Sequence, residues 1–226
     1  MLLNNLCKVI LAGIICFLTC DLSFSQTNSK NSTPPEYLSL DIAKSTDVSF
    51  VSSREVKNEK VSYFKEFGIL SGYGESKLNE KGKYKLIPLI VRFGFDLKPF
   101  LKKFNLNPSG TTELIWEPYV WHITQPDANF ETGLNWLLKY SFSLTDRFSP
   151  YAALGLGMNY MTQHTYEQGT QFNFTQAVEG GFSFFLTKNT AFSLGFRFRH
   201  LSNSSIKKPN AGINSKFLVG GISWYY

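Results

Sequence analysis

The chain has 226 residues and a formal net charge of +6, and 16% of its residues are aromatic. Its three cysteines, Cys7, Cys16 and Cys20, all lie at the N-terminus, so a chain that loses this segment has no disulfides or thiolate metal sites. No later segment approaches the roughly 20 consecutive apolar residues of a membrane helix, and the basic balance favours anionic lipid headgroups over nucleic acid as partners.

The first element is predicted to be a cleaved secretory signal peptide, residues 1–25. Lys8 precedes a short apolar run, and the small residues Ser23 and Ser25 precede a polar segment. Lipidation of Cys20 is the less favoured alternative. Residues 26–60 are rich in polar side chains and are predicted to be a leader, flexible or only locally ordered.

The rest of the chain, residues 61–226, is predicted to form one all-β domain. Turn residues divide it into strand-length segments, at about 62–76, 83–98, 112–125, 131–145, 149–162, 171–187, 190–202 and 214–226. Eight strands is the smallest common size of a membrane barrel. We therefore expect an eight-stranded antiparallel transmembrane β-barrel, although composition alone also allows a secreted β-sandwich.

Apolar and polar residues alternate clearly in several of these segments. In the second, Ile87, Leu89 and Val91 share one face, opposite Arg92 and Asp96. In a membrane barrel the apolar face meets lipid and the other face lines the interior. The charged residues expected inside have mixed signs: Arg92, Asp96, Glu117, Lys139, Glu179, Arg197 and Arg199. This mixture predicts an internally paired, plugged interior rather than a pore.

The end of the chain also fits an outer-membrane barrel. Counting back by twos from Tyr226 gives Trp224, Ile222, Gly220 and Leu218, an alternating strand that ends in an aromatic residue. Outer-membrane barrels commonly end in such a strand.

Three polar residues interrupt the lipid-facing pattern of the last two strands. In the seventh strand, His200 and Ser202 lie on the side of the chain that carries the lipid-facing residues. In the eighth strand, Asn214 lies on that side. All three therefore face lipid. At about 3.3 Å per residue and a tilt near 40°, His200 lies roughly 25–30 Å from the turn that begins its strand. Asn214 lies at about the same distance from the C-terminus that ends its strand, so both are near the far boundary of the hydrocarbon layer.

These side chains suit nucleophilic catalysis. A serine hydroxyl is a weak nucleophile until a neighbouring imidazole accepts its proton, and a third group holds the correct histidine tautomer. Asn214 could hold the tautomer through its amide oxygen, without the negative charge that a carboxylate supplies. The alternative interpretation is that these are three polar residues at a membrane interface that take no part in catalysis.

The segment 200–214 resembles the signature of the lipid A 3-O-deacylase (PagL-like) family. Looser similarity extends upstream through Ile87-Pro88-Leu89, Trp116-Glu117-Pro118, Ser149-Pro150-Tyr151 and Phe172-Asn173-Phe174-Thr175. Members are eight-stranded outer-membrane barrels that remove an ester-linked acyl chain from lipid A. The resemblance implies that His200 is the base and Ser202 the nucleophile.

The resemblance also suggests residues for oxyanion and substrate binding. Asn210 matches an asparagine that helps form the oxyanion hole, and Asn203 in the same segment is a further candidate. Apart from the resemblance, Lys207 and Lys208 could attract lipid phosphates by their charge, and ordinary solvated loop charge explains them equally well. The chain departs from the family at two places. Asn214 stands where the best-known members have glutamate, and Ser204-Ser205 replaces an Ala-Gly pair whose glycine amide helps to hold the oxyanion. Outer-membrane phospholipase A, a larger barrel, has a similarly spaced His-x-Ser and an asparagine as its third member.

The resulting hypothesis is an exported esterase of the cell outer membrane. Its Ser-His-Asn triad would remove an acyl chain from lipid A of lipopolysaccharide in the outer leaflet, with no metal and no cofactor. Two alternatives remain open, a hydrolase of the phospholipase A type and a non-enzymatic structural barrel with a decayed site.

Overall fold

The computed structural model describes residues 62–226, so the predicted signal peptide and leader lie outside the described residues. Eight strands form the fold: β1 (Phe64–Leu78), β2 (Gly82–Asp96), β3 (Thr111–Gln125), β4 (Asn129–Ser141), β5 (Phe148–Met161), β6 (Phe172–Phe185), β7 (Thr190–Ser202) and β8 (Ile213–Tyr225). A short helix, α1 (Lys98–Lys103), lies between β2 and β3. The eight-stranded prediction is confirmed, with boundaries that differ by a few residues.

Each strand pairs antiparallel with the next, and β8 pairs with β1 to close the barrel. The closing register joins Phe67 to Trp224 and Glu75 to Lys216. Closure leaves no strand edge unpaired, which the backbone requires in a lipid environment. In the described part of the chain, no helix is long and apolar enough to cross a membrane.

The two ends of the barrel differ in their connections. We call the end that carries Tyr226 the near end and the opposite end the far end. The far end carries two tight turns and two longer connections, the β5–β6 loop (162–171) and the β7–β8 loop (203–212). The near end carries α1 and two short connections, β4–β5 and β6–β7.

The outer face is apolar, as the alternation predicts. Exposed side chains along it include Leu89, Val120, Val178, Phe196 and Leu218. Aromatic rings gather near the near end, where Phe67 stacks on Trp224 with centroids 5.7 Å apart and Phe95 meets Trp116 edge-on at 5.6 Å. An apolar band with aromatic residues at its border suits a lipid environment.

The middle of the interior contains paired charges. Arg92 contacts Glu117 at 2.6 Å and Glu179 at 3.2 Å, and Arg197 contacts the same two glutamates. Lys139 pairs with Glu66. The network also includes Glu113, and nearer the far end Arg199 pairs with Glu131. All of these side chains are buried, which confirms the expected pairing. Asp96 lies nearer the rim, where it pairs with Lys65 at 3.9 Å.

Toward the far end the interior becomes apolar, which the alternation pattern does not predict. The buried cluster there contains Leu70, Leu78, Leu86, Ile90, Trp121, Ile123, Met161, Leu201, Ile213, Phe217 and Val219, with Tyr84 and Tyr119. The sequence pattern misses it because strands such as β1 carry apolar residues on both faces. Leu201 and Ile213 anchor β7 and β8 to this core, beside the outward residues His200 and Asn214.

Candidate functional site

His200 and Asn214 lie directly opposite each other in the β7–β8 register. Their side chains are joined by a hydrogen bond of 2.7 Å between His200 Nδ1 and Asn214 Oδ1. An amide oxygen only accepts, so this bond requires the proton on Nδ1 and leaves Nε2 as an acceptor. That is the tautomer that a general base needs.

Ser202 is the next residue of β7 that points outward beyond His200. It is half-buried and lies opposite Phe174 of β6. Within residues 62–226, no hydrogen bond joins the Ser202 hydroxyl to His200. The site is therefore a bonded histidine–asparagine pair with a serine hydroxyl on the same face, and bonds of this kind commonly tighten when substrate is bound.

A tight turn follows Ser202 directly. The Ile206 N–H donates to the Asn203 carbonyl at 2.9 Å, which encloses Ser204 and Ser205. Both serines have positive φ angles, 49° and 61°, the left-handed conformation that glycine adopts most easily. The serine pair thus holds a backbone shape suited to glycine, at the position where the resemblance implies one. In the described structure, neither serine N–H has an internal acceptor, so both are available as donors.

Asn203 organises this loop from within. Its side chain is completely buried, and its amide nitrogen donates to the carbonyls of Lys207 at 2.8 Å and Pro209 at 3.1 Å. Its backbone N–H donates to Asn210 Oδ1 at 2.8 Å. The Asn203 side chain therefore lies beneath the loop rather than at its surface, and its part in oxyanion or substrate binding stays a prediction.

The same bond orients Asn210. Because its Oδ1 accepts from Asn203, its Nδ2 faces away as a donor, and it has no acceptor within the described residues. Asn210 is half-buried, whereas Lys207 and Lys208 on the same loop are exposed. The loop thus offers a fixed amide donor and two cations beside the serine.

The β5–β6 loop braces the β7–β8 loop. The Gly169 N–H donates to the Pro209 carbonyl at 2.6 Å, and the Ala211 N–H donates to the Glu167 carbonyl at 2.8 Å. The Glu167 side chain accepts in turn from the Asn79 N–H at 2.5 Å, in the β1–β2 turn. The β5–β6 loop, which is itself bonded to the β1–β2 turn, therefore holds the loop that follows Ser202.

Two residues of the site were missed by sequence reasoning. Gly212 has φ +78°, and a Cβ placed there would lie 2.5 Å from His200 Cε1. The backbone at this glycine is therefore in contact with the imidazole. Gln176 of β6 lies opposite His200 on its other side. It interrupts the outward run of Phe172, Phe174 and Val178, a break in alternation that could have identified it.

Aromatic residues surround the polar group on the outer face. Phe172 and Phe174 meet edge-on at 5.4 Å beside Ser202, and the half-exposed Phe198 precedes His200. This surface can accept an acyl chain next to the hydroxyl. In the described range, no group of three or more His, Cys, Asp or Glu side chains is placed to hold a metal ion.

Two solved structures are similar to this barrel. The crystal structure of the outer membrane enzyme PagL is similar at TM-score 0.51 and 19% identity, covering 69% of this chain and 97% of that one. Neisserial surface protein A is similar at TM-score 0.53 and 14% identity, covering 73% and 98%. At these identities the likenesses concern the fold alone.

No curated protein matches the chain. A family profile does match its sequence, and this match is more specific than the structural likenesses. The profile of the family described as lipid A 3-O-deacylase (PagL) matches residues 89–223, more than half of the chain. This match includes the strands and loop that carry His200, Ser202 and Asn214. The chain belongs to the lipid A 3-O-deacylase (PagL) family.

Proposed function

We propose that this protein is an outer-membrane esterase that removes an ester-linked acyl chain from lipid A, with Ser202 as its nucleophile. The observation that carries the proposal is the hydrogen-bonded pair His200–Asn214 beside Ser202 on the lipid-facing side of the barrel. Membership of the lipid A 3-O-deacylase family supports the choice of substrate.

In the proposed reaction Ser202 Oγ attacks the ester carbonyl while His200 Nε2 accepts its proton. Asn214 holds the Nδ1–H tautomer throughout. The imidazolium then protonates the departing sugar oxygen, which leaves an acyl group on Ser202. Water, activated by the same imidazole, hydrolyses this ester and frees the fatty acid. Because Asn214 has no charge to stabilise the imidazolium, turnover is slower than with a carboxylate.

The β7–β8 loop supplies donors for the oxyanion. Negative charge develops on the carbonyl oxygen in the transition state, and fixed N–H groups aimed at it lower the barrier. Asn210 Nδ2 is held in place by the bond to Asn203, and the backbone N–H groups of Ser204 and Ser205 have no competing acceptor in the described structure. We assign these groups to the oxyanion hole.

The lipid-facing position explains how such a substrate arrives. The acyl chains of lipid A remain in the bilayer, so an esterase that acts on them needs a nucleophile on its outer surface. Phe172, Phe174 and Phe198 provide apolar surface for the chain. The counted height of the strand supports a serine near the far hydrocarbon boundary, at about the level of the outer-leaflet ester linkages.

Mass spectrometry of lipid A tests this proposal. Cells that express the protein should contain lipid A lighter by one acyl chain, and cells that express Ser202→Ala should not, at equal amounts of folded barrel. An unchanged acyl pattern with the wild-type protein would refute the proposal. Release of lysophospholipid by the purified protein, without change in lipid A, would identify a phospholipase instead.

A further inference from the structure

A polar cavity of about 260 Å³ lies between the β5–β6 and β7–β8 loops at the far end. The residues that line it include Gln163, His164, Gln168, Thr170, Gln171 and Lys207. Sites for drug-sized ligands are mostly apolar and occupy about 300–1,000 Å³. This cavity is slightly smaller and its lining is hydrophilic, so it suits a single hydroxylated ring rather than an acyl chain.

Gln168, which lines the cavity, has a buried hydrogen-bond acceptor without a donor in the described structure. Its side chain is 6% exposed, and its amide nitrogen donates to the Leu201 carbonyl at 3.4 Å. Its amide oxygen is buried and has no partner within the described residues. A buried acceptor without a donor is costly. The oxygen is covered in this structure, so a ligand with hydroxyl or amide N–H groups reaches it only after a small shift of the Gln168 side chain.

Lys207 adds the second recognition element. It is the one lysine or arginine among the residues that line the cavity, and its side chain is exposed. The side-chain amides of the cavity can bind hydroxyl groups. The ammonium group beside them favours an anionic group, such as a phosphate, on the same ligand. The lining is thus complementary to a sugar that carries phosphate.

The cavity is joined to the proposed reaction centre by Gln168. This residue forms a β-bridge with Asn210, the proposed oxyanion donor. It also bonds to the carbonyl of Leu201, the residue before Ser202. Gln168 therefore links the cavity to Asn210 and to the backbone next to Ser202.

We infer that this cavity binds the phosphorylated sugar headgroup of the lipid whose acyl ester lies at Ser202. The inference rests on the proposed function for the identity of the lipid. It assigns Gln168 to the sugar and Lys207 to the phosphate. The cavity then selects the headgroup of the lipid, whereas the lipid-facing surface contacts only its acyl chains.

Hydrolysis of three substrates in detergent micelles tests the inference: phosphorylated lipid A, dephosphorylated lipid A, and diacylglycerol with the same acyl chains. We expect Lys207→Gln to raise the KM for phosphorylated lipid A about tenfold relative to the other two. Gln168→Met should raise the KM for both forms of lipid A relative to diacylglycerol. Lys188→Gln, an equal charge change at the exposed near-end turn, should leave all three values unchanged. Equal effects on all substrates, or none, would overturn the inference.

Binding to the Ser202→Ala protein separates this inference from the proposed function. Calorimetry with micelles of phosphorylated lipid A should show binding that Lys207→Gln weakens about tenfold. Such binding by a protein whose wild-type form leaves lipid A intact would refute the esterase and support the cavity. Hydrolysis of lipid A that neither cavity variant changes would refute the cavity and support the esterase.

Discussion

Strand β7 carries polar side chains on both of its faces, and the two sets are bonded differently. The inward Arg197 and Arg199 each form ion pairs with buried glutamates. The outward His200 has one partner, Asn214, and the outward Ser202 has no bond to either of them within the described residues. Adjacent residues of one strand thus belong to two different groups. The inward residues form a paired structural network, and the outward residues belong to an open group (His200, Ser202 and Asn214) that can still react.

The difference follows from the cost of burying charge. An unpaired charge inside the barrel would be strongly destabilising, so each interior cation is compensated. A histidine, a serine and an asparagine near the end of a strand cost less, because charges and polar groups on the lipid face are tolerated best near the interface. The open group therefore lies where its exposure costs least, at the far end.

Removing the base should give the largest effect. We expect His200→Ala to lower the rate of acyl release about 1,000-fold or more. The double variant with Ser202→Ala should be no slower than either single variant, because residues that act as a unit lose activity together. Single-turnover release of fatty acid from lipid A measures this. Losses that multiply in the double variant would show that the two residues act independently.

Opening the interior network should reduce stability instead. Glu179 contacts Arg92 and Arg197 and accepts a hydrogen bond from Tyr151 at 2.7 Å. Glu179→Ala should lower the free energy of unfolding by about 3–5 kcal/mol, measured by urea titration in micelles. Activity per folded molecule should be retained.

The matched control for that variant is Glu75→Ala, at an exposed outward position of β1. It should change the free energy of unfolding by no more than about 0.5 kcal/mol. Equal destabilisation by the two variants would mean that the interior pairs do not carry the stability assigned to them.

Displacing the imidazole should slow the reaction without removing any reacting group. A Cβ at Gly212 would lie 2.5 Å from His200 Cε1, so Gly212→Ala should move the ring and lower kcat about 100-fold. Gly180→Ala is the control, because a Cβ there meets no atom within 4 Å. Kinetics on lipid A compare the two, and equal activity would show that the contact with Gly212 does not position the base.

Changing the third member should have the smallest effect. Asn214→Glu should retain activity or raise it by up to about fivefold, because a carboxylate stabilises the imidazolium more than an amide does. Asn214→Leu, which removes the acceptor of the 2.7 Å bond, should lower the rate. If Asn214→Glu lost activity while folding normally, the assignment of Asn214 to the triad would be wrong.

Sequence patterns predicted the strands and the side on which His200, Ser202 and Asn214 lie. These predictions succeed because alternation has a period of two residues and is set locally. Counting residues from the turn and the terminus placed His200 and Asn214 at one height, and the observed register pairs them directly. The family resemblance is likewise confirmed by the profile match.

The remaining features depend on contacts between distant segments. The β-bridge from Gln168 to Asn210 and the burial of Asn203 arise from the packing of two loops, which no local pattern records. The apolar interior around Trp121 has a similar origin, because it combines residues from strands with weak alternation. The role of Gly212 is apparent only in the folded structure, where its backbone contacts the His200 ring.

A comparison of two serines tests whether the lipid-facing group alone performs the reaction. Ser202 points outward from β7, whereas Ser215 points inward from β8, is buried, and accepts a bond from Arg199 at 3.3 Å. Acyl release from lipid A by purified protein should fall to background in Ser202→Ala and persist in Ser215→Ala. Persistent acyl release by folded Ser202→Ala would contradict the proposed mechanism.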